Sequence, residues 1–341
     1  MASLATANII VRADGGPTMG LGHVYRCRSL ALMLVKDYRV DLITTPALRQ
    51  LEADMREGFA AVTYLTSSER EYLGSPADSS AVIEYASAES PKPALIIVDG
   101  YHFGTSYQRA LSRAGYKVLC IDDIHAVEFD CAAVLNHAGG VSESSYSLAP
   151  GTRLYHGLQY ALIHPVYQHF ARTRETIPPG RVFVCLGGAD PQNHSVEVCE
   201  RVLNTTDESV EVVAGAAFQG MEALVELRER SPGRLHIHQS IPTAEVLATM
   251  RRCRRGITSP STVALEYFCI SDEVYLFPHA DNQQEFFQFC ISSKLATPFS
   301  SWPVSNANRQ VVRRVFDGLQ GDRVRALIKH IRSGVAKKHV E

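Results

Sequence analysis

Short apolar runs alternate with segments of helical periodicity along this chain, and this alternation constrains the fold more than any other feature. In the first half the strand-like runs are residues 8–12, 40–44, 61–65, 94–99, 117–122 and 132–136, and helical patterns at 21–36, 79–90 and 105–114 lie between several of them. Strands that are apolar at nearly every position and alternate with helices are typical of a parallel sheet covered on both faces. The pattern therefore predicts an α/β fold.

The alternation stops once and then restarts. Residues 171–181 read A-R-T-R-E-T-I-P-P-G-R, and the two prolines and the glycine predict a linker. After it we predict a strand at 181–186, a loop at 187–193 and a helix at 195–203, followed by strands near 210–214, 235–238, 256–258 and 273–277. Two Rossmann-like domains whose parallel sheets face each other across a cleft would bind a ligand outside the carboxyl ends of their strands.

Composition excludes several classes of protein. Lys and Arg number 34 and Asp and Glu 36, a formal net charge of 34 − 36 = −2, which argues against a protein that coats nucleic acid. An apolar fraction of 45% excludes a disordered chain. No apolar run approaches the roughly 20 residues that a membrane span needs. The eight cysteines include no C-x-x-C pair, so we expect a cytoplasmic protein with neither a disulfide framework nor a zinc site.

The first strand leads into a glycine-rich loop that contains a candidate proton acceptor. Residues 12–26 read R-A-D-G-G-P-T-M-G-L-G-H-V-Y-R, and glycines before a helix N-terminus favour a close anionic ligand. The third glycine of a dinucleotide fingerprint would fall at Tyr25, and the Gly-Lys-Ser/Thr of a Walker loop is missing. His23 falls in the first helical turn, where the helix dipole disfavours imidazolium, so we expect it to accept a proton. A capping or packing role is the alternative.

Polar residues also follow the later strands of the first half. Asp99 and Tyr101 come after a buried strand, Asp122 ends the next one, and Asn136 ends the one after that. Carboxylates in such places orient a histidine or a ligand hydroxyl, but they are equally common as turn residues and helix caps. The first-half residues therefore predict a ligand site without assigning every role.

Loops of the second half place small or polar residues at strand ends. The loop at 185–193 predicts Asp190 as a helix N-cap and Pro191 as the first helical residue. Ser261 and Thr262 fall at a helix start with Glu266 one turn later on the same face, which suits a diphosphate at the helix N-terminus and a ribose diol at the carboxylate. A Ser/Thr cap on an ordinary helix is the alternative. The other polar or small positions of these loops are Gly187, Gly188, Asn282 and Gln283.

In their order along the chain, the motifs resemble those of one family. They are R-A-D…G-L-G-H-x-x-R, V-D-x-Y, I-D-D, C-x-x-x-L-N, Y-A-L-I, L-G-G-A-D-P, S-T…E and D-N-Q, and they run from residue 12 to about residue 294. The set looks like the UDP-sugar hydrolases of pseudaminic acid biosynthesis, within the wider GT-B glycosyltransferase-like group. The resemblance implies a GT-B fold and release of UDP from UDP-2,4-diacetamido-2,4,6-trideoxy-β-L-altropyranose. It also implies that water attacks the anomeric carbon with inversion, and we expect neither a metal nor a cofactor.

The resemblance also implies roles for particular residues. His23 falls on the family's catalytic histidine and Tyr101 on its active-site tyrosine, while nucleotide and substrate contacts fall on Ser261, Thr262, Glu266 and Asn282. From the residues alone, Asp14 and Asp122 are both candidates to orient His23. We therefore expect a catalytic set of His23, Asp14 and Tyr101. The expected substrate contacts are Arg12, Gly20, Gly22, Arg26, Asp99, Asp122 and Asn136. The expected nucleotide contacts are Gly187, Gly188, Asp190, Ser261, Thr262, Glu266, Asn282 and Gln283.

These roles divide the chain by function. We expect an N-terminal domain at 1–170 that carries the catalytic loop and a C-terminal nucleotide-binding domain at 181–308. C-terminal helices follow at 309–341, for which a return to the N-terminal domain is one arrangement. The expected partner is a UDP-sugar, with no nucleic acid and no membrane span, and the expected state is a monomer or a weak dimer.

Two stretches depart from the family's pattern. Where the family reads Y-A-L-I/L-R-x-E-F, this chain has Y-A-L-I-H-P-V-Y at 160–167, and Y-F-C-I-S-D-E-V at 267–274 replaces the usual A-L-G-x-P. Both stretches lie where sugar and nucleotide are expected, so the sugar and the base stay open. The alternatives are a glycosyltransferase of the same fold, which needs an acceptor, and a non-catalytic nucleotide-sugar-binding protein. The retention of His23 within G-L-G-H argues against the second.

Overall fold

The computed structural model describes residues 7–16, 19–173, 176–188, 190–215, 218–315 and 320–333 of the 341-residue chain. The chain forms two compact units, one from the described residues of Met1–Pro165 and Gln320–Glu341 and one from those of Val166–Leu319. A helix, Pro165–Thr173, begins at this division. It includes the first three residues of the predicted linker, because Tyr167 and Ala171 are buried one turn apart and extend the helical pattern.

A parallel sheet forms the centre of the first unit. Its strands are β1 (Ala7–Ala13), β2 (Tyr38–Thr44), β3 (Ala61–Tyr64), β4 (Leu95–Asp99), β5 (Val118–Ile121), β7 (Ala133–Asn136) and β9 (Arg153–His156), and the short β6 (Glu128–Phe129) and β8 (Ser147–Leu148) pair separately. The order is β3-β2-β1-β4-β5-β7-β9, so the winding reverses between β1 and β4. In open parallel sheets the loops after the strands at such a reversal are the usual place for a ligand.

Helices cover both faces of this sheet. They are α1 (Gly22–Leu34), α2 (Glu52–Met55), α3 (Pro76–Ala88) and α4 (Thr105–Arg113), joined near the chain's end by α12 (Gln320–Ser333). Leu30 of α1 and Ile328 of α12 share a buried cluster with Ile97 of β4, while Val82 and Leu111 of α3 and α4 belong to a cluster on the opposite face. Burial on both faces explains why the strands read as continuous apolar runs.

The helix α12 returns the chain to the first unit. Its apolar stripe lies in the same buried cluster as α1 and consists of Val324, Leu327, Ile328 and Ile331. Lys117, just before β5, donates from Nζ to the carbonyl oxygens of Ile331 and Arg332 at distances of 2.9 and 2.8 Å. A cation at a helix C-terminus satisfies its unpaired carbonyl groups. The first unit is therefore completed by a segment from the far end of the sequence.

The second unit repeats this architecture. Its strands are β10 (Arg181–Cys185), β11 (Ser209–Ala214), β12 (Leu235–Gln239), β13 (Arg255–Thr258), β14 (Glu273–Leu276) and β15 (Thr297–Pro298), in the parallel order β12-β11-β10-β13-β14-β15. Its helices are α5 (Pro165–Thr173), α6 (His194–Thr205), α7 (Met221–Arg230), α8 (Thr243–Met250), α9 (Thr262–Phe268), α10 (Gln284–Ser292) and α11 (Arg309–Val315). The winding reverses between β10 and β13.

The predicted α/β fold is confirmed, and each predicted strand lies within two residues of an observed one. Helix starts were harder to predict. The helix predicted at 79–90 begins at Pro76, because the Ser75 hydroxyl accepts the backbone N–H of Asp78 and caps it. The helix α6 begins at His194, so the prediction of Pro191 as a first helical residue is wrong.

Candidate active site

His23 and Asp99 form a hydrogen-bonded pair at the winding reversal of the first unit. His23 is the second residue of α1, and Asp99 ends β4, where it lies beside Ala13 of β1. The Nδ1 atom of His23 is 2.7 Å from a carboxylate oxygen of Asp99. An ionised carboxylate only accepts hydrogen bonds, so Nδ1 carries a hydrogen, and in the neutral ring Nε2 then has the lone pair. We expected Asp14 or Asp122 to orient His23, and the structure corrects this: the orienting carboxylate is Asp99.

Asp99 is held as an anion. Burial would raise the pKa of its carboxyl, but Arg26 and His23 beside it hold that pKa well below its usual range. Arg26 donates from Nε and Nη2 to the two carboxylate oxygens, each at 2.6 Å. The thiol of Cys27 donates to the same carboxylate at 3.3 Å, and burial raises the pKa of that thiol well above its usual value. Asp99 therefore serves as an acceptor for its neighbours.

Tyr101 lies against the ring of His23. The two ring centroids are 4.7 Å apart with an interplanar angle of 84°, an edge-to-face contact, and Tyr101 is 43% exposed. A pocket adjoins Tyr101, and the side chains that line it are mainly apolar, among them Val98, Phe103, Ile124, Val127 and Phe129. The structure thus brings together the histidine and the tyrosine that the sequence placed on different loops.

Arg12 and Asp14 occupy a separate ionic network. Arg12 is fully buried and contacts Asp14 at 2.6 Å and Asp78 at 2.9 Å. Asp14 also accepts the backbone N–H of Thr45 at 3.0 Å, and His102 Nε2 lies 3.1 Å from its second oxygen. Burial alone would raise the pKa of Asp14, but the hydrogen bond of His102 and the charge of Arg12 lower it to about 2. The contacts join loops after three strands, so we reassign both residues from catalysis and substrate contact to support of these loops.

Two other predicted substrate contacts, Asp122 and Gly20, shape the backbone. The Asp122 carboxylate accepts the backbone N–H groups of Ile124 and His125 at 3.2 and 2.7 Å, and burial raises the pKa of this carboxyl. Gly20 has a φ of +78° and exchanges two backbone hydrogen bonds with Gly16, which folds the glycine-rich loop. Pro17 and Thr18 of that loop lie outside the described residues.

The two remaining predicted substrate contacts of the first unit, Gly22 and Asn136, differ in their exposure to solvent. Gly22 begins α1, and a Cβ atom there would meet nothing within 4 Å. Asn136 is fully buried, donates to the hydroxyl of Tyr146 at 3.0 Å and accepts the backbone N–H of Ala138. The surroundings of Gly22 are therefore open, whereas Asn136 is tied to the protein interior.

Glycines bring two loops of the second unit into close contact. Gly187, just after β10, has a φ of +108°, and a Cβ at that position would lie 3.9 Å from the Ser259 hydroxyl. A Cβ at Gly215, just after β11, would lie 2.4 Å from the Cα of Gly188.

The Asp190 carboxylate accepts the backbone N–H groups of His194 and Ser195 at 3.0 and 2.7 Å, so it caps α6 from outside the N-cap position.

The start of α9 holds three of the predicted nucleotide contacts. Ser261 is the N-cap residue of α9 and its hydroxyl lies 2.9 Å from that of Ser259, with Thr262 as the first helical residue. The Cys185 thiol at the end of β10 has a pKa raised to about 11, chiefly by burial. The negative charges of Glu266 and Asp190 raise this pKa further, so the Glu266 carboxylate lies near the end of β10. The structure thus places the loops after β10 and β13 beside each other, as the winding reversal requires.

Asn282 and Gln283 lie in a short 3₁₀ helix, Asp281–Gln283. The Gln283 side-chain oxygen accepts the backbone N–H of His279 at 2.9 Å, and His279 Nε2 donates to the carbonyl oxygen of Leu186 at 2.9 Å. His279 therefore ties the loop after β14 to the end of β10. The sequence pattern pointed to this loop, but it did not distinguish the histidine from its amide neighbours.

The sequence missed two residues near His23. Asp123 accepts a hydrogen bond from Arg26 Nη1 at 2.7 Å, although the sequence showed it only as the neighbour of Asp122. His137 is buried and its Nδ1 accepts the backbone N–H of Leu162 at 3.2 Å. Burial, followed by the charge of Arg26, lowers the pKa of His137 to about 4. No sequence motif marks His137, because its position depends on how β7 lies beside β5.

Within the described part of the chain, no group of three or more His, Cys, Asp or Glu side chains has the arrangement of a metal site. None of its helices combines the length and the apolar character that crossing a membrane requires.

Two curated proteins are similar to this chain in sequence. The spore coat polysaccharide biosynthesis protein SpsG of Bacillus subtilis is 23% identical over 279 residues, which are 80% of this chain and 77% of SpsG. The UDP-2,4-diacetamido-2,4,6-trideoxy-beta-L-altropyranose hydrolase of Campylobacter jejuni is 24% identical over 281 residues, 81% of this chain and 93% of that enzyme. No protein-family model matches the chain.

Solved structures identify the fold. CalG4, the calicheamicin glycosyltransferase, superposes with a TM-score of 0.64 at 14% identity, covering 98% of this chain and 100% of CalG4. MurG of Acinetobacter baumannii superposes with a TM-score of 0.58 at 12% identity, covering 96% of this chain and 99% of MurG. The chain has the GT-B fold of these neighbours and, in sequence, resembles SpsG and the Campylobacter UDP-sugar hydrolase over about four-fifths of its length.

Proposed function

We propose that this chain hydrolyses a UDP-linked amino or deoxy sugar of the UDP-2,4-diacetamido-2,4,6-trideoxy-β-L-altropyranose type, with water as the acceptor and without a metal. The observation that carries the proposal is the 2.7 Å contact between His23 Nδ1 and Asp99. This contact orients the ring and leaves Nε2 as a proton acceptor. The similarity to the Campylobacter hydrolase supports the choice of substrate class.

The reaction is a single displacement. His23 Nε2 takes a proton from water while the water oxygen attacks the anomeric carbon. The bond from that carbon to the diphosphate oxygen breaks, and UDP leaves with the oxygen. One displacement inverts the anomeric configuration. Asp99 is already occupied by His23 and Arg26, so it acts on the histidine and does not form a bond to the sugar.

We assign nucleotide binding to the second unit. Backbone N–H groups near Gly187, Gly188 and Ser261 would stabilise the charge that develops on the departing diphosphate. Thr262, Asn282 and the carboxylate of Glu266 supply polar groups for the nucleoside. In the first unit Tyr101 would contact the sugar, since it is exposed beside His23.

A glycosyltransferase is the second candidate. The solved neighbours include the glycosyltransferase CalG4, whose fold this chain shares. The same histidine would then remove the proton from an acceptor hydroxyl. The two activities differ in whether turnover needs an acceptor.

The deciding experiment is incubation of the protein with UDP-, GDP- and CMP-sugars without an acceptor, followed by phosphorus NMR. We expect free UDP from an amino- or deoxy-sugar donor. In water enriched with ¹⁸O the label should enter the sugar and not the phosphate, because the bond that breaks is the one to the anomeric carbon. Turnover that appears only after an acceptor is added would establish the transferase, and binding without turnover would indicate a non-catalytic protein.

The substitution His23→Asn tests the proposed base. The Asn side-chain amide can still donate to Asp99 from about the position of Nδ1, but it has no basic nitrogen. We expect the rate of UDP release to fall on the order of 10²- to 10⁴-fold, the usual contribution of a positioned base, while the circular dichroism spectrum stays unchanged. His156→Asn, on β9, is the matched control and should retain the parent rate. A His23→Asn protein with near-parent activity would rule out this mechanism.

A further inference from the structure

Arg26 makes an unusually complete set of contacts one turn after His23. It lies on α1 and is 4% exposed. Its Nε and Nη2 donate to the two oxygens of Asp99 at 2.6 Å each, and its Nη1 donates to Asp123 at 2.7 Å. The Nη2 atom also lies 3.1 Å from His23 Nδ1. All three nitrogens of the guanidinium therefore donate to carboxylates, and those carboxylates follow two neighbouring strands, β4 and β5.

We propose that Arg26 is a positioning residue, which fixes Asp99 in the orientation that receives the His23 Nδ1 hydrogen and offsets the negative charge beside the imidazole. The inference rests on the proposed function, since it specifies how the base is prepared. It also replaces the expectation that Arg26 contacts the substrate. A bidentate pair between a guanidinium and a carboxylate restricts the carboxylate more than a single hydrogen bond does.

The charges around His23 explain why such a residue is needed. Two carboxylates next to an imidazole favour its protonated form, and a protonated histidine cannot act as a base. Arg26 brings the opposite charge to within hydrogen-bond distance of both carboxylates and of the ring. Burial raises the pKa of the Asp123 carboxyl, but the charge and hydrogen bond of Arg26 bring it below its usual value. Among the described residues, the other titratable groups that face this cluster are Cys27 on α1, Tyr101 after β4, Asp122 after β5 and His137 after β7.

The test measures the protonation of His23 without any substrate. Side-chain ¹H–¹⁵N spectra are recorded against pH for the parent, Arg26→Gln and Arg26→Lys, and the His23 signals are identified by their loss in His23→Asn. We expect Arg26→Gln to move the midpoint of His23 protonation to higher pH by about one unit or more, since an uncompensated carboxylate favours imidazolium. Arg26→Lys keeps the charge without the planar fork, so the midpoint should move less.

Kinetics then separate positioning from substrate binding. With a UDP-sugar that is turned over, the acid limb of kcat/KM for Arg26→Gln should move in the same direction as the NMR midpoint, and kcat should fall more than KM rises. Arg26→Lys should also lose kcat, because a lysine cannot hold both oxygens of Asp99. Arg28→Gln is the matched control: Arg28 is a buried arginine of the same helix, but its partner is Glu57.

The outcomes are distinct. A folded Arg26→Gln protein with an unchanged His23 midpoint, or one with a raised KM alone, would overturn the inference. If Arg26→Gln does not fold, Arg26→Lys decides: an unchanged midpoint together with unchanged kcat would overturn it. A shifted midpoint in a protein that hydrolyses no sugar of the panel would support the positioning role while rejecting the proposed function.

Discussion

The carboxylate of Asp99 accepts hydrogen bonds from His23, Arg26 and Cys27. Asp14 is an equally buried carboxylate of the same unit, and its partners are Arg12, Thr45 and His102. Both side chains follow strands at the winding reversal, yet only Asp99 contacts the candidate base. Two carboxylates with similar surroundings therefore have different roles because of the side chain that each one contacts.

The contrast between Asp99 and Asp14 predicts what a substitution of Asp99 does to the activity. Asp99→Asn keeps the shape of the side chain but removes its charge and gives it a donor, so His23 loses the acceptor that fixes its tautomer. We expect kcat to fall on the order of 10²- to 10⁴-fold, at most as much as for His23→Asn, because a histidine held in the wrong tautomer no longer serves as the base. Breaking the buried pair with Arg26 should also cost about 3–5 kcal/mol of unfolding free energy.

Asp14→Asn is the matched control for Asp99→Asn. It breaks a comparable buried pair, with Arg12, and should lower the unfolding free energy measured in urea by a similar amount. It should not change the His23 titration followed by NMR, because Asp14 has no contact with that ring. Equal effects of the two variants on the titration would show that the Asp99 contact has no special role.

At the scale of elements, one glycine determines how closely β13 packs against α9. A Cβ at Gly256 of β13 would come within 2.3 Å of the ring of Tyr267 on α9. That ring cannot easily move, since it is fully buried, stacks on Phe183 at a centroid distance of 5.3 Å and donates its hydroxyl hydrogen to the carbonyl of Cys253. The start of α9 carries Ser261, so this packing also sets where a predicted nucleotide contact lies.

We therefore predict that Gly256→Ala destabilises the second unit. Overpacking of this kind costs typically about 1–3 kcal/mol. The midpoint of urea unfolding, followed by the fluorescence of Trp302, should fall, and UDP should bind more weakly by calorimetry because α9 must shift. A Gly256→Ala protein with parent stability would mean that Tyr267 moves freely.

The sequence predicted the elements better than their ends. Strands could be recognised because burial on both faces makes them apolar throughout, as in the runs that became β4 and β10. The start of α6 was misplaced because Asp190 caps the helix from four residues before His194, with Pro191 in the intervening turn. An Asp that caps a helix from several residues before it gives the same sequence pattern as an Asp directly before the first helical turn. Only the backbone geometry distinguishes the two arrangements.

For the whole molecule, His137 makes the stability sensitive to mild acid. Its pKa is lowered from 6.5 to about 4 in the folded protein, chiefly by burial. Between these values the unfolded chain binds a proton at this histidine and the folded chain does not. Because protonation then favours the unfolded state, this contribution to stability is present above about pH 6.5 and is lost as the pH falls toward 4.

The variant His137→Asn tests this dependence. The Asn side-chain oxygen can accept the Leu162 N–H, but the residue does not titrate. We expect the unfolding free energy of the parent to fall between pH 6.5 and 4.5 more steeply than that of the variant, as measured by urea titrations followed by circular dichroism. Below pH 4 both proteins should lose further stability, since the lowered pKa of Asp14, about 2, then enters the range of titration. Parallel slopes above pH 4.5 would contradict the prediction.

The sequence by itself determined the alternation of strands and helices and the loops that carry His23, Tyr101 and Ser261, because burial patterns and turn chemistry are local. The order of its motifs carried the resemblance to GT-B proteins. Tertiary structure alone decided which carboxylate orients His23. His23 and Asp99 are 76 residues apart in the sequence, but His23 Nδ1 lies 2.7 Å from a carboxylate oxygen of Asp99. This contact depends on β4 lying beside β1. Side chains that meet through strand order cannot be paired from spacing, since the sheet's winding sets their contacts.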